Sequence, residues 1–218
     1  MATRVPKTPE AVVLVLHGGA SRRDSPMVSP AQLSVLRMVP IASRVARAGR
    51  GRLAVFRLLN SSRGWDTEHT PVDDVRWALG EVADRLGSEL PAGLVGHSLG
   101  GRAALLAGGE PPIRSVVALN PWVYPSDRAD LSGRRVLVVH GTEDRIADPD
   151  RSFAVAQALC RSADSLGYLR VDGAKHAMLR RGRVFERAAA EFCTATLLGR
   201  SVGGAVGDLL GGEAVVTT

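Results

Sequence analysis

The chain has 218 residues and a formal net charge of +6, a size that suits one domain with a single core. Hydrophobic residues make up 45% and charged residues 23%, which excludes a disordered chain and a disulfide-stapled miniprotein. Of the 28 basic residues all but Lys7 and Lys175 are arginine, scattered singly or in pairs without aromatic neighbours in a run. We therefore expect no nucleic-acid partner.

The N-terminal residues are polar and include two prolines, so they lack the apolar stretch of a signal peptide. No apolar run approaches the roughly 18 residues that a membrane-spanning helix needs. We therefore expect a cytoplasmic chain, a monomer or weak homodimer, that spans no membrane. We divide it into an N-terminal extension (1–10), one α/β domain (11–198) and a Gly-rich C-terminal tail (199–218).

Six short apolar runs are predicted to be strands. They are nearly continuous rather than alternating, a pattern typical of parallel strands that are buried on both faces. Their predicted bounds are Ala11–His17, Leu53–Leu59, Ala92–Gly96, Ser115–Leu119, Arg135–His140 and Leu166–Val171.

Amphipathic segments separate these strands. Apolar residues recur at spacings of three and four in 71–86, and segments 150–163 and 181–198 behave similarly, so all three are predicted helices. Alternation of strands and helices predicts an α/β fold, a mostly parallel, doubly wound sheet of about six strands with helices on both faces.

Ligands of such sheets bind beyond the carboxyl ends of the strands, where one motif stands out. Gly96-His97-Ser98-Leu99-Gly100 matches G-x-S-x-G between a predicted strand and a helix-forming RAALLA segment. The serine of this sharp turn projects its hydroxyl above the sheet, and the glycines on either side avoid collisions across the turn. The motif predicts that Ser98 is a nucleophile.

A serine nucleophile needs a general base that an acid holds in the correct tautomer. Asp144 follows the fifth predicted strand and His176 follows the sixth, so both come after Ser98 at later strand ends. We predict that Ser98, His176 and Asp144 are the catalytic nucleophile, base and acid. Glu143 and Asp148 stay open as alternative acids, although loop carboxylates are more often solvated.

The other four histidines are predicted to have other roles. His17 and His140 each precede a glycine at a strand end, and we expect them to order their loops by hydrogen bonding. His97 is expected to face away from Ser98, because successive side chains of an extended chain point in opposite directions. His69 lies in a polar segment and is expected to be solvated.

Two backbone N–H groups are needed to bind an oxyanion. One is predicted to be that of Leu99, the residue after the candidate nucleophile. The other comes from the HGG loop after the first predicted strand, where glycine permits close approach of the backbone. We favour Gly19 as this second donor and leave its neighbour Ala20 open.

The motifs HGG, GHSLGG, HGTED and GAKH occur in the order that is usual in α/β-hydrolases, which the chain resembles from about Val12 to Leu198. The resemblance, which is to minimal, lidless members such as esterases, lipases and dienelactone hydrolases, implies a serine hydrolase with an acyl-enzyme intermediate and no cofactor or metal. The family usually has two strands before the one that ends in HG, whereas only ten residues precede that strand here. We therefore expect an α/β-hydrolase fold without the first two strands.

Many members of this family also insert a lid before the strand that carries the acid. Here the segment 120–134 is too short for a cap domain, so we expect an open site. Trp65, Trp122 and Tyr124 are candidates for lining the substrate. Segment 21–39 is a second possible flank, and its prolines favour an irregular conformation.

The sequence thus favours an enzyme that hydrolyses small-molecule carboxylic esters or thioesters. Acyltransferase or thioesterase chemistry on the same residues stays an alternative. A non-catalytic binding protein on this scaffold is another, because a fold alone does not define a function. The arginine surplus would at most favour substrates that carry negative charge.

Overall fold

The computed structural model describes residues 2–19, 28–62, 64–65 and 69–218. Within these residues one sheet has eight strands in the order β1-β3-β2-β4-β5-β6-β7-β8. All neighbours are parallel except β1 and β3. The strands are β1 (Ala2–Arg4), β2 (Ala11–Leu16), β3 (Leu53–Leu58), β4 (Ala92–His97), β5 (Ile113–Leu119), β6 (Arg135–Gly141), β7 (Ser165–Val171) and β8 (Val215–Thr217).

The predicted fold class is confirmed, and the six predicted strands form the centre of the sheet. Two short edge strands were missed. β1 pairs antiparallel with β3, so the expectation that no strand precedes the HG-bearing strand is wrong. β8 extends the other edge beside β7, so the predicted tail contributes to the same sheet. Each of these strands has only three residues, too few for a hydrophobic period to appear in the sequence.

Helices cover both faces of the sheet. The strand side chains alternate, so Val13 and Val15 belong to one core cluster, whereas Leu14 and Leu16 belong to the other. Helices α2, α6 and α7 pack on the first face, and α3, α4 and α5 pack on the second. The helices are α1 (Leu33–Leu36), α2 (Met38–Ala48), α3 (Thr70–Leu86), α4 (Leu99–Leu106), α5 (Pro149–Leu159), α6 (Gly182–Leu198) and α7 (Gly204–Leu210).

The three predicted helices are confirmed as α3, α5 and α6, with α5 ending four residues before the predicted position. Helix α2 was missed. Its buried residues recur at helical spacing, and Pro40 lies in its first turn, where proline is tolerated. The flank 21–39 is therefore helical at its end, whereas its residues 21–27 lie outside the described residues.

The parallel arrangement of β2 and β4–β7 brings their carboxyl ends to one edge of the sheet, here called the carboxyl edge; the opposite one is the amino edge. Segment 120–134, described throughout, contains no helix or strand and inserts no cap domain between β5 and β6. No helix in the described ranges is both long and apolar enough to cross a bilayer.

Candidate active site

Ser98 lies at the turn between β4 and α4. Its backbone has φ 57° and ψ −119°, a conformation that costs free energy for a residue with a side chain. The turn is tight, because a Cβ on Gly96 would overlap the carbonyl of Gly100, and a Cβ on Gly100 would lie 2.6 Å from the carbonyl oxygens of Leu16 and His17. The sequence therefore needs glycine at both positions to hold the serine at the carboxyl edge.

The structure brings Ser98, His176 and Asp144 together, although they come from three different loops. The Oγ of Ser98 lies 3.0 Å from Nε2 of His176. The Nδ1 of the same ring lies 2.8 Å from Oδ2 of Asp144. With Nδ1 donating to the carboxylate, Nε2 is left as an acceptor for the serine hydroxyl. This order of contacts can activate a serine as a nucleophile.

The carboxylate of Asp144 is fully enclosed and saturated with donors. Its Oδ1 accepts the N–H groups of Ile146 and Ala147 at 2.8 and 3.0 Å. Its Oδ2 lies 3.2 Å from Nε2 of a second histidine, His140. Burial alone raises the pKa of this carboxyl, but the hydrogen bonds from His140, His176 and Ile146 outweigh it and hold the pKa well below its ordinary value. Asp144 therefore stays ionised beside His176.

His140 orients the acid. Its Nε2 faces two acceptors, Asp144 and the carbonyl of Ala147 at 3.1 Å, so this nitrogen carries the proton. Its Nδ1 lies 2.7 Å from the hydroxyl of Ser152, which in turn lies 2.7 Å from the hydroxyl of Tyr168. The ring thus links the Asp144 loop to α5 and β7, in line with the predicted loop-ordering role.

The structure places the two alternative acids elsewhere. Glu143 is exposed and lies 3.9 Å from Nζ of Lys175. The carboxylate of Asp148 accepts the N–H groups of Asp150 and Arg151 and caps the N-terminus of α5. Neither side chain is hydrogen-bonded to His176 in the part of the chain that the structure describes. Within the same residues no group of three His, Cys, Asp or Glu side chains is placed to hold a metal ion.

His97 contacts the backbone of the loop that carries His176. Its Nε2 lies 2.9 Å from the carbonyl oxygen of His176, and the two rings lie 4.9 Å apart. Its Nδ1 is buried without a hydrogen bond among the described residues. Burial, together with the nearby His176, lowers the pKa of His97 to about 3. The ring is therefore a neutral structural group that donates to the His176 loop.

Asn120 was missed by the sequence analysis. It is fully buried at the end of β5, with φ 41°. Its Nδ2 donates to the carbonyl of His176 at 3.1 Å, and its Oδ1 accepts the N–H of Gly141 at 2.9 Å. Asn120 thus ties three strand ends together. A polar residue that tolerates positive φ, directly after the apolar run VVAL, was the available signal.

The loop after β2 lies against Ser98, because a Cβ on Gly18 would lie 3.1 Å from the Cβ of Ser98. The N–H of Leu99 opens α4 and has no acceptor within the helix. Gly19 continues the loop, and its N–H makes no hydrogen bond to the described residues. Ala20, the alternative donor, lies outside the described residues. Leu99 and Gly19 stay the predicted donors.

The two remaining histidines lie beside the site. The Nε2 of His17 accepts the N–H of Asn60 at 3.2 Å, so its Nδ1 carries the proton and donates to the carbonyl of Gly18 at 2.6 Å. This holds the loop in place, as expected for an ordering residue. His69 precedes α3 in the left-handed conformation and is exposed, and its ring centroid lies 5.4 Å from that of Trp65.

Two of the three aromatic candidates pack on a buried ion pair. Arg102, in the first turns of α4, forms a two-pronged hydrogen bond to Asp127 at 2.7 and 2.8 Å. Its guanidinium lies 4.1 Å from the Trp65 ring and 4.6 Å from the Tyr124 ring. The rings of Trp122 and Tyr124 lie 6.2 Å apart, and the backbone N–H of Trp122 donates to the carbonyl of Ser98. Trp65 and Tyr124 therefore pack on Arg102, whereas Trp122 is linked to Ser98 through the backbone.

Comparisons with known proteins identify the fold. No family model and no curated protein matches the sequence. Among solved structures, the chain is similar to Est1E from Butyrivibrio proteoclasticus (TM-score 0.62, 14% identity, 89% of this chain and 90% of that one). It is also similar to a lidless α/β serine hydrolase from Xanthomonas campestris (0.63, 19%, 88% and 84%). A third is the hyperthermophilic esterase from Pyrobaculum calidifontis (0.63, 18%, 89% and 79%). The chain has the α/β-hydrolase fold.

Proposed function

We propose that this chain is a serine hydrolase that cleaves carboxylic esters or thioesters. The observation that carries the proposal is the hydrogen-bonded series Ser98–His176–Asp144, with distances of 3.0 and 2.8 Å, at the carboxyl edge. The strained backbone of Ser98 supports it, because strain of this kind is retained where function requires it. The likeness to solved esterases supports the same class of reaction.

In the first half of the proposed reaction, Ser98 Oγ attacks the carbonyl carbon of the ester while Nε2 of His176 takes the hydroxyl proton. The carbonyl oxygen becomes an oxyanion that accepts hydrogen bonds from the N–H groups of Leu99 and Gly19. Asp144 stabilises the resulting imidazolium through Nδ1. The C–O bond of the ester then breaks, the alcohol leaves with the proton from His176, and the acyl group remains on Ser98.

In the second half, water replaces the alcohol. Nε2 of His176 takes a proton from the water, whose oxygen attacks the acyl carbon. The second oxyanion forms between the same two N–H groups. Its collapse breaks the bond to Oγ of Ser98, which regains its proton from His176, and the carboxylic acid leaves. No group outside the protein and water is needed to balance these steps.

The test is covalent labelling of the intact chain with a fluorophosphonate, followed by peptide mapping. Labelling at Ser98 that Ser98→Ala abolishes is expected. Ser88→Ala removes an exposed serine hydroxyl elsewhere and should leave the labelling unchanged. A folded chain that takes up no label at Ser98 would overturn the proposal.

Substrate class is tested with p-nitrophenyl esters of increasing acyl length, with thioesters and lactones alongside. Hydrolysis that disappears in Ser98→Ala supports the proposal. A large excess of transfer over hydrolysis when an alcohol or amine is added would instead identify an acyltransferase. Labelling without turnover on any of these compounds would favour a narrower substrate or a binding role.

A further inference from the structure

A cavity of about 520 Å³ lies on the face of the sheet that α2 and α6 cover, and its lining includes none of the residues of the candidate active site. Helix α2 connects the carboxyl end of β2 to the start of the parallel strand β3, and α6 begins after the carboxyl end of β7. Both helices therefore run from the carboxyl edge toward the amino edge. Helix α6 alone has 17 residues, so it is about 25 Å long. The cavity extends along both helices to the residues after their C-termini, toward the amino edge. It is here called the arginine cavity.

The arginine cavity collects positive charge that is scattered in the sequence. Five guanidinium groups line it and a single carboxylate accompanies them. These residues are Arg44, Arg47, Arg50, Arg187, Arg200 and Glu191.

The guanidinium groups of two of the five arginines have a partner within 4 Å. Nη1 of Arg200 donates to the carbonyl of Ala48 at 2.8 Å, and Nε of Arg187 lies 3.8 Å from Glu191. The guanidinium groups of the other three, from α2 and the turn after it, form no hydrogen bond or ion pair within 4 Å in the described ranges, although one of them, that of Arg44, interacts electrostatically with Glu191. These are Arg44, Arg47 and Arg50.

Helix electrostatics explain only part of this cluster. Arg47 lies in the last turn of α2, where a cation is favourable beside the free carbonyl groups. Arg44 and Arg187 lie further inside their helices, beyond the reach of that effect. Arg44 and Arg200 are half-buried, so solvent screens their mutual repulsion less than on an open surface. An anion in the cavity would remove this repulsion.

We propose that the arginine cavity binds a small anion that carries two or more phosphate groups. Guanidinium groups bind phosphate oxygens through paired hydrogen bonds. Five of them exceed what a single carboxylate can accept, whereas a diphosphate offers enough oxygens and charge. The volume falls within the range of roughly 300–1,000 Å³ of small-molecule sites. No lining residue is aromatic, so the stacking surface that single-stranded nucleic acid uses is lacking.

The experiment is calorimetric titration of the full chain with pyrophosphate, ATP and orthophosphate at low salt. Pyrophosphate and ATP are expected to bind at one site and more tightly than orthophosphate. Arg44→Ala and Arg47→Ala should each weaken pyrophosphate binding by about tenfold or more, since each removes a charged hydrogen-bond donor. Thermal melting of each variant verifies that it is folded. If one of the two substitutions prevents folding, the other still tests the proposal.

Arg161→Ala is the matched control. It removes the same charge from an exposed position after α5, on the opposite face of the sheet, and should change the affinity by less than about twofold. If all three variants weaken pyrophosphate binding equally, the loss reflects the net charge of the chain rather than a site in the arginine cavity, and the proposal is overturned. Absence of pyrophosphate and ATP binding, or binding of orthophosphate as tight as that of pyrophosphate, would overturn it as well.

Discussion

The two edges of the sheet differ in whether other protein groups pair their charged side chains. At the carboxyl edge the buried charges are paired within the fold, as in Asp144 with its two histidines and Arg102 with Asp127. At the amino edge the guanidinium groups of Arg47 and Arg50 form no ion pair among the described residues, and that of Arg44 interacts with Glu191 only at longer range. The difference follows from burial, because an enclosed charge must be satisfied by the protein itself, whereas a half-exposed one can be satisfied by solvent or a ligand. We therefore expect substitutions at the carboxyl edge to have the larger effects.

The largest expected effect comes from Asp144→Asn. The amide keeps the shape but loses the negative charge that orients and stabilises the His176 ring, so kcat for ester hydrolysis should fall by about 10⁴-fold. Glu143→Gln is the matched control at the neighbouring exposed carboxylate and should retain kcat. Steady-state kinetics on a p-nitrophenyl ester measures both. A larger loss in Glu143→Gln would assign the acid to that residue.

The next effect concerns stability. Asp127→Ala leaves Arg102 buried without its partner, so the free energy of unfolding should fall by about 3–5 kcal/mol. Urea denaturation measures this loss. Glu10→Ala breaks the Arg52–Glu10 pair at the amino edge, whose side chains are 42% and 53% exposed, and should hardly move the midpoint. If the two variants lose the same free energy of unfolding, the ion pairs at the two edges do not differ in their contribution to stability.

Asn120→Asp tests whether the side-chain amide of Asn120 positions the loop that carries His176. Aspartate tolerates the positive φ but lacks the Nδ2 donor to the carbonyl of His176. The loop that carries His176 should shift, so that kcat falls by about 10- to 100-fold with little change in KM. Unchanged kcat with lowered thermal stability would make Asn120 a purely structural residue.

Acid should weaken the carboxyl edge, because the buried histidines His97 and His17 lie there. Burial lowers the pKa of His97 to about 3 and also lowers that of His17. Below about pH 6.5 these histidines become protonated in the unfolded chain but stay neutral in the folded chain. The free energy of unfolding therefore decreases as the pH is lowered from about 6.5 toward the lowered pKa of the folded histidines. The pKa of Asp144 is also lowered, and its contribution is lost only below its ordinary value near 3.8.

Urea titrations at pH 7 and 4.5 therefore isolate the histidines. His97→Asn keeps an amide donor and should flatten the loss of stability between these two pH values. His69→Asn, at an exposed histidine, should keep the wild-type slope. A wild-type chain that is equally stable at both pH values would contradict the assignment of His97 as a buried neutral group.

Local signals in the chain predict much of the fold and of the candidate site. Continuous apolar runs predicted the six central strands, and helical spacing predicted α3, α5 and α6. The edge strands β1 and β8 escaped, because three residues stabilised by pairing with a neighbour carry no period of their own. Asn120 escaped because its role depends on two other strand ends, which the order of residues does not reveal.

What the sequence alone determined is the kind of fold and the chain order of Ser98, Asp144 and His176, since strand, turn and helix signals are local. The tertiary structure decided which other residues they contact. It placed His140 and His176 on one carboxylate, set Glu143 and Asp148 apart from it, and gathered the scattered arginines of α2 and α6 around one cavity. The physical reason is that hydrogen bonds and charge interactions act over a few ångströms in space. Only the packing of helices and the meeting of strand ends bring residues distant in sequence within that range.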